Sequence, residues 1–347
     1  MPHVSIWKSA LQKSWRRGDT ELLTATVNAI WASDPDWLTW RLMILPAEEQ
    51  WMLSAEIGYL ARFAKEMKAE TDSDVMRQKI LCKLVDTTKL IKNKDADGLR
   101  TLGETLTTML NKGETKPREE LLEVLKAKTT NDQYQLVLEM AEVEKIAVEE
   151  KKVPKEIWGD IWTRVDAAEH YEERDADQYK YLREGVGAAY FRGLQGGMLG
   201  DRTLLVSVAL LHLYHYYHEP VSMKTLVDDM PKAPAVRVDT WGDLETDMVI
   251  PWYVYDSHTG VGKRVLGYLN KSTLFQRDFI DWLWFFRESC PVNGISNYSW
   301  WWELGERASY ISFGIKPERA IEIWQEELGP KVKKLVIRFL EEDGDLY

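Results

Sequence analysis

The stretch Leu204-Leu205-Val206-Ser207-Val208-Ala209-Leu210-Leu211-His212-Leu213-Tyr214-His215-Tyr216-Tyr217 decides the fold. It is long enough for about four helical turns and offers no charged face to solvent, so a helix here must be buried in the centre of a protein. It is also shorter than the roughly 20 apolar residues a membrane span requires. A central helix needs others around it, and their spacing is legible on both sides. Upstream, helical patterns over 157–170 and 179–191 are interrupted by Gly193, Gly196, Gly197 and Gly200. Downstream, Pro234, Val236, Val238, Trp241 and Gly242 break the periodicity and predict a small irregular or hairpin insertion around 231–255. Helical spacing returns over 274–287, 300–310 and 317–340, with Gly329-Pro330 forcing a break.

Nearer the N-terminus, Leu22, Leu23, Val27, Ile30 and Trp31 recur at helical spacing. Ser33 or Asp34 then caps a second helix with Pro35 in its first turn, carrying Trp37, Leu38, Arg41, Leu42 and Leu45. A third helix is expected after Pro46, with Trp51, Ile57, Leu60 and Phe63. Residues 66–152 are rich in Lys, Glu, Leu and Thr, and read as three or four amphipathic helices with breaks at 93–98, 111–117 and 129–132. The charge run 149–152, closed by Pro154, suggests a boundary. The expected architecture is mainly α, a multi-helix bundle. It has an N-terminal helical region, 1–152 (tryptophan-rich 1–65, charged 66–152), and an aromatic-rich helical domain, 153–347.

A chain of 347 residues with 45% hydrophobic and 29% charged residues can bury a large core. No signal-peptide core follows Met1, and Cys82 and Cys290 are the only cysteines, so the expectation is a cytoplasmic protein with a buried reduced pair. The net charge of −11 disfavours a surface that grips nucleic acid everywhere, though it allows a local basic patch. Sixteen tryptophans are the strongest anomaly: six lie in 7–51, none between 51 and 158, and ten beyond. Trp300-Trp301-Trp302 cannot share one helix face, and together with Trp37 and Trp40 they are candidates for a protein interface.

Asp256-Ser257-His258-Thr259-Gly260-Val261-Gly262-Lys263-Arg264 is the stretch richest in chemistry, expected as a loop opening a helix at 265. Backbone amides at Gly260 and Gly262, with His258, Lys263 and Arg264, could hold a phosphate or DNA backbone. It is not a P-loop, because Ser257 stands where the first Walker glycine belongs and Arg264 replaces the Ser or Thr after the lysine. The alternative is a structural turn in which His258 and Asp256 bond local backbone. Arg192 and Arg202 flank the glycine segment 193–200 and are further phosphate candidates, set against a simple interhelical turn. His212, His215 and His218 are spaced three apart; they are weak metal candidates and read better as packing residues, so no metal and no cofactor is expected. No hydrolase elbow, paired Cys-x-x-Cys, His-Glu-x-x-His or dinucleotide fingerprint occurs.

Gly18-Asp19, Ala29-Ile30-Trp31, Asp34-Pro35-Asp36-Trp37-Leu38, Trp40-Arg41-Leu42 and Ala47-Glu48-Glu49 lie within about residues 9–65. This segment resembles the C-terminal helical region of the replication-associated recombination ATPases related to clamp loaders. In that family an AAA+ ATPase with Walker motifs precedes this region, whereas here the match begins almost at Met1, so ATP hydrolysis is not implied. The resemblance implies an oligomerising helical module acting beside replication proteins. The leading expectation is a non-catalytic accessory or assembly protein of DNA replication, recombination or repair. It would bind a protein partner or itself, touch DNA weakly, and stay off membranes. Two alternatives stay open: an enzyme acting on a phosphorylated or nucleic-acid substrate through Asp256, His258 and Lys263, and an interaction module inhibiting a host or defence protein.

Overall fold

The computed structural model describes residues 4–58, 60, 72–90, 94–171, 176–218, 254, 256 and 259–270, and, further on, 304, 305, 307, 308, 310, 311, 319, 326 and 329–343. These residues form a mainly α-helical, multi-helix bundle, with no β-strand among them. In chain order the α-helices are α1 (Val4–Arg17), α2 (Thr20–Ser33), α3 (Pro35–Glu49), α4 (Ser73–Thr88), α5 (Asp95–Asn111), α6 (Thr115–Lys128), α7 (Asn131–Glu150), α8 (Lys155–Ala168), α9 (Ala176–Gly193), α10 (Leu199–His218), α11 (Gly260–Asn270) and α12 (Gly329–Asp343). A 3-10 turn at Trp51–Leu53 follows α3. No helix among the described residues is long and apolar enough to cross a membrane. The insertion expected around 231–255 lies outside the described residues except for Val254, as does the helix expected over 274–287.

The apolar stretch that opened the sequence reading is the axis of the bundle. From Thr203 to Tyr214 every residue of α10 is buried, and α3, α5, α7, α8 and α9 all pack on it. Burial of this kind removes every side chain of that run from water, which is why it needs no polar face. The tyrosines at its end bolt it to α8: Tyr216 Oη donates to Ala168 O and Tyr217 Oη to Arg164 O, each at 2.8 Å. One apolar cluster, from Leu11 to Ala308, takes in Leu102 of α5, Met140 of α7 and Leu210 of α10, so it runs across residue 152. A second, smaller cluster joins α11 and α12 through Val261, Val265, Val332 and Val336.

Local chemistry explains several helix starts. Asp19 accepts from Leu22 N to start α2, and Asp34 accepts from Trp37 N to start α3, with Pro35 in the first turn. Thr130 and Gln133 form a reciprocal capping box on α7. Two expectations are corrected. Helix α3 runs through Pro46 to Glu49, because Leu45, Pro46 and Ala47 are buried and Gln50 N closes on Pro46 O at 2.7 Å. Cys82 is exposed rather than buried, lying on the outer face of α4; Cys290 lies outside the described residues.

Helix α1 is enclosed despite carrying cations. Lys13, Arg16 and Arg17 are all buried, and Arg16 grips Glu49 of α3 with two guanidinium nitrogens, Nε donating at 2.7 Å. Gln12 donates to the same carboxylate at 2.7 Å. Burial works against the Glu49 charge, yet Arg16 and Lys94 hold its carboxyl below the ordinary range. The stabilisation is therefore present above the usual carboxylate pKa and is lost on acidification. Glu49→Ala removes the carboxylate that meets the buried Arg16, and is expected to lower stability by about 3–5 kcal/mol in urea unfolding followed by tryptophan fluorescence. A double Arg16→Met, Glu49→Leu variant is expected to recover most of that loss.

Candidate functional site

The best-built polar site surrounds the glycine segment between α9 and α10. Gly196 (φ 95°) and Gly197 (φ 113°) take backbone angles that disfavour side chains, so the chain turns sharply there. Arg192, in the last turn of α9, reaches back over that turn: its Nη1 donates to Gly196 O at 2.5 Å, and its Nη2 lies 3.2 Å from where a Cβ on Gly197 would sit. Its other face stacks on Trp40 of α3, 5.4 Å from the ring centroid. Arg202 Nη2 lies 3.7 Å from the corresponding point on Gly196, and Arg100 Nη1 of α5 lies 3.8 Å from that on Gly200. Three guanidinium groups from three helices thus line one short loop at the N-terminus of α10.

Their partners differ. Arg100 is committed to Asp97 at 3.6 Å and Glu104 at 2.8 Å, and Arg41, nearby on α3, to Glu48 at 2.5 Å. Arg192 and Arg202 form no ion pair among the described residues, and the Nε of each is buried without a partner. Burial pulls the Arg192 pKa below its ordinary value, and although Asp201 opposes this, Arg41 and Arg202 add to it. Exposed Leu194 (48%) and Met198 (72%) flank the loop. The arrangement can receive an oxyanion: two cationic forks seeking acceptors, a helix N-terminus, and an apolar lip.

Glu144 of α7 is buried close to Thr203 of α10, whose hydroxyl donates to Gly200 O at 3.2 Å. Burial raises the Glu144 carboxyl to about 7, Thr203 and Arg100 acting against the shift and Glu104 with it. Glu144 Oε1 has no partner.

The other candidates fall as follows. Residues 260–264 are helical, so α11 begins five residues before the expected start. Thr259 caps it, its hydroxyl accepting from Gly262 N and donating to Asp256 O, both at 2.9 Å. Gly262 is needed because a Cβ there would collide with Asp256 O. Lys263 and Arg264 are exposed on the first turns, while Asp256 is buried, paired with Lys13 of α1 at 2.7 Å and accepting from Ser9. His258 and Trp300, Trp301 and Trp302 lie outside the described residues.

The three histidines of α10 do not converge, and no group of three His, Cys, Asp or Glu among the described residues could hold a metal. His212 is enclosed, its Nε2 2.7 Å from Ser54 Oγ and its ring edge-on to Trp51 at 4.9 Å. Burial, with a contribution from His215, pushes its pKa down to about 3, so it is a neutral core residue. His218 turns to Asp132 at 3.2 Å. Trp37 is half-buried against the core with Lys8 Nζ 4.7 Å above its ring, and Trp15, Trp51 and Trp158 are fully enclosed.

The sequence singled out Arg192, Arg202 and Trp40 but not Arg41, Arg100, Asp201, Thr203 or Glu144. Glu144 had one signal, a carboxylate on the apolar stripe of α7 between Val143 and Ala147. Comparisons with protein-family models, curated proteins and solved structures found no match for this chain.

Because the folded-state pKa of Glu144 stands above the unfolded 4.5, its contribution to stability is full at low pH and declines as pH rises toward 7. The expected loss is roughly 2–3 kcal/mol between about pH 5 and pH 8. Glu144→Gln should flatten this dependence, making the variant the more stable form at the higher pH in parallel urea titrations.

Proposed function

We propose that this chain is a helical accessory protein of DNA replication, recombination or repair that acts by binding, with the Arg192–Arg202 loop receiving a phosphate of a nucleic acid. One observation carries the reading: Arg192 and Arg202 stand at the N-terminus of α10 with a buried Nε that has no acceptor and with no ion pair among the described residues, Asp201 being the carboxylate nearest Arg192, while Arg41 and Arg100 beside them are committed. A guanidinium fork matches phosphate geometry, and the Trp40 ring beneath Arg192 holds that fork in place. Met198 and Leu194 add apolar surface against which a base or sugar can rest. The net charge of −11 makes the contact local, which suits an accessory role better than tight wrapping.

The resemblance of residues 9–65 to the helical region of the clamp-loader-related recombination ATPases supports the replication setting. Trp40 and Arg41, two of the residues on which that resemblance rests, belong to the site. The enzyme alternative built on Asp256, His258 and Lys263 is weakened by the commitment of Asp256 to Lys13 and Ser9.

Fluorescence anisotropy with a labelled single-stranded oligonucleotide tests the reading. Arg192→Ala with Arg202→Ala is expected to weaken binding on the order of tenfold and to reduce the slope of log K against log salt by about 1.4, two phosphate contacts' worth. Unchanged affinity and slope in that variant would overturn it.

A further inference from the structure

Further along α10 from the arginine loop lies a groove of about 270 Å³ formed by α7, α8 and α10. Its floor is aliphatic: Val143 and Ile146 from α7, Ile157 and Ile161 from α8, and Leu210 from α10. Ile146 and Ile157 are only half-buried, so apolar surface stays in contact with water. The rim is wholly acidic, made of Glu139 and Glu142 on one wall and Glu156 and Asp160 on the other.

The two walls differ in how their charge is met. Glu139 is paired with Arg164 at 2.5 Å and Glu142 with Lys145 at 3.1 Å. Glu156 and Asp160 are exposed, form no ion pair among the described residues, and sit one turn apart on α8, where like charges repel. An aliphatic trough beside two unneutralised carboxylates fits one kind of occupant. The aliphatic floor requires an apolar anchor, and the rim requires flanking cations. A second copy of this chain offering the same face would set acid against acid in a protein of charge −11.

We propose that this groove docks a basic amphipathic segment of a partner protein, with an aliphatic side chain seated over Ile146, Ile157 and Leu210 and flanking lysines or arginines reaching Glu156 and Asp160. The site is separate from the nucleic-acid contact: Leu210 stands about two turns further along α10 than Arg202. The partner therefore binds without competing for the arginine loop.

The probes are three fluorescein-labelled helical peptides of one length: a Leu/Lys amphipathic helix, its Leu/Glu counterpart, and a Ser/Lys helix without the apolar face. At about 0.15 M salt, where long-range charge effects are damped, the full chain is expected to bind the Leu/Lys peptide at least tenfold more tightly than either other. Glu156→Lys with Asp160→Lys should weaken that binding at least tenfold with an unchanged circular dichroism spectrum. Ile157→Asn should do the same, and oligonucleotide binding should be unaffected in both variants. As a matched control, Glu119→Lys with Glu123→Lys reverses two exposed carboxylates one turn apart on α6 and should leave peptide affinity within twofold. Equal binding of the Ser/Lys peptide, or equal weakening by the control pair, would reduce the effect to bulk charge and overturn the proposal. So would groove variants that alter only self-association in sedimentation equilibrium.

Discussion

The clasp between Arg16 and Glu49 is the interaction on which the rest of the molecule leans. Burying two charges costs several kcal/mol per ion unless geometry and extra hydrogen bonds repay it. Here the carboxylate accepts from two nitrogens of Arg16 and from Gln12, and Gln12 in turn accepts from Arg41 at 3.1 Å. Fixing the end of α3 fixes the 3-10 turn behind it, whose Trp51 donates to Asp95 of α5 at 3.3 Å and packs on His212. Arg41 also leads to Glu48, at the edge of the arginine cluster. The seam that holds α1 inside the protein therefore continues as the wall of the candidate site.

The two chemical faces share α10 as a spine and use opposite logic. At its N-terminal end Arg192 and Arg202 each keep a buried Nε without an acceptor, and further along Glu156 and Asp160 form no ion pair among the described residues. An acidic chain with one local cationic niche and one acidic, greasy trough is suited to bringing unlike partners together. Rigid helices packed on a common axis hold both positions at fixed separation, with no need for a conformational switch.

Periodicity revealed the helices because burial of one stripe leaves a mark every three or four residues. The central position of 204–217 followed from the lack of any polar stripe, and the start of α3 from Asp34 and Pro35. What stayed hidden is what depends on distant residues. Pro46 reads locally as a stop, yet the burial of its neighbours carries α3 past it. Lys13, Arg16 and Arg17 carry no local sign of burial, and the enclosure of Lys13 and Arg16 makes sense only once Asp256 and Glu49 are in place. The glycines at 260 and 262 invited a phosphate reading, whereas the Gly262 amide is spent on the Thr259 cap. Arg192 and Arg202 were legible because glycines around them demanded a turn; Arg100 and Glu144 arrive from other helices and carry no comparable local mark.

The bond from Lys13 to Asp256 spans 243 positions of chain, and it sets an order of events during synthesis. At roughly 5–20 residues per second, a ribosome needs on the order of tens of seconds between emitting the ammonium and emitting its counter-ion. Throughout that interval Arg16 can already clasp Glu49, whereas the Lys13–Asp256 bond has to wait, so these two charge contacts of α1 form one after the other. The helix is thus held on one side by neighbours close in sequence before the distant carboxylate completes its surroundings.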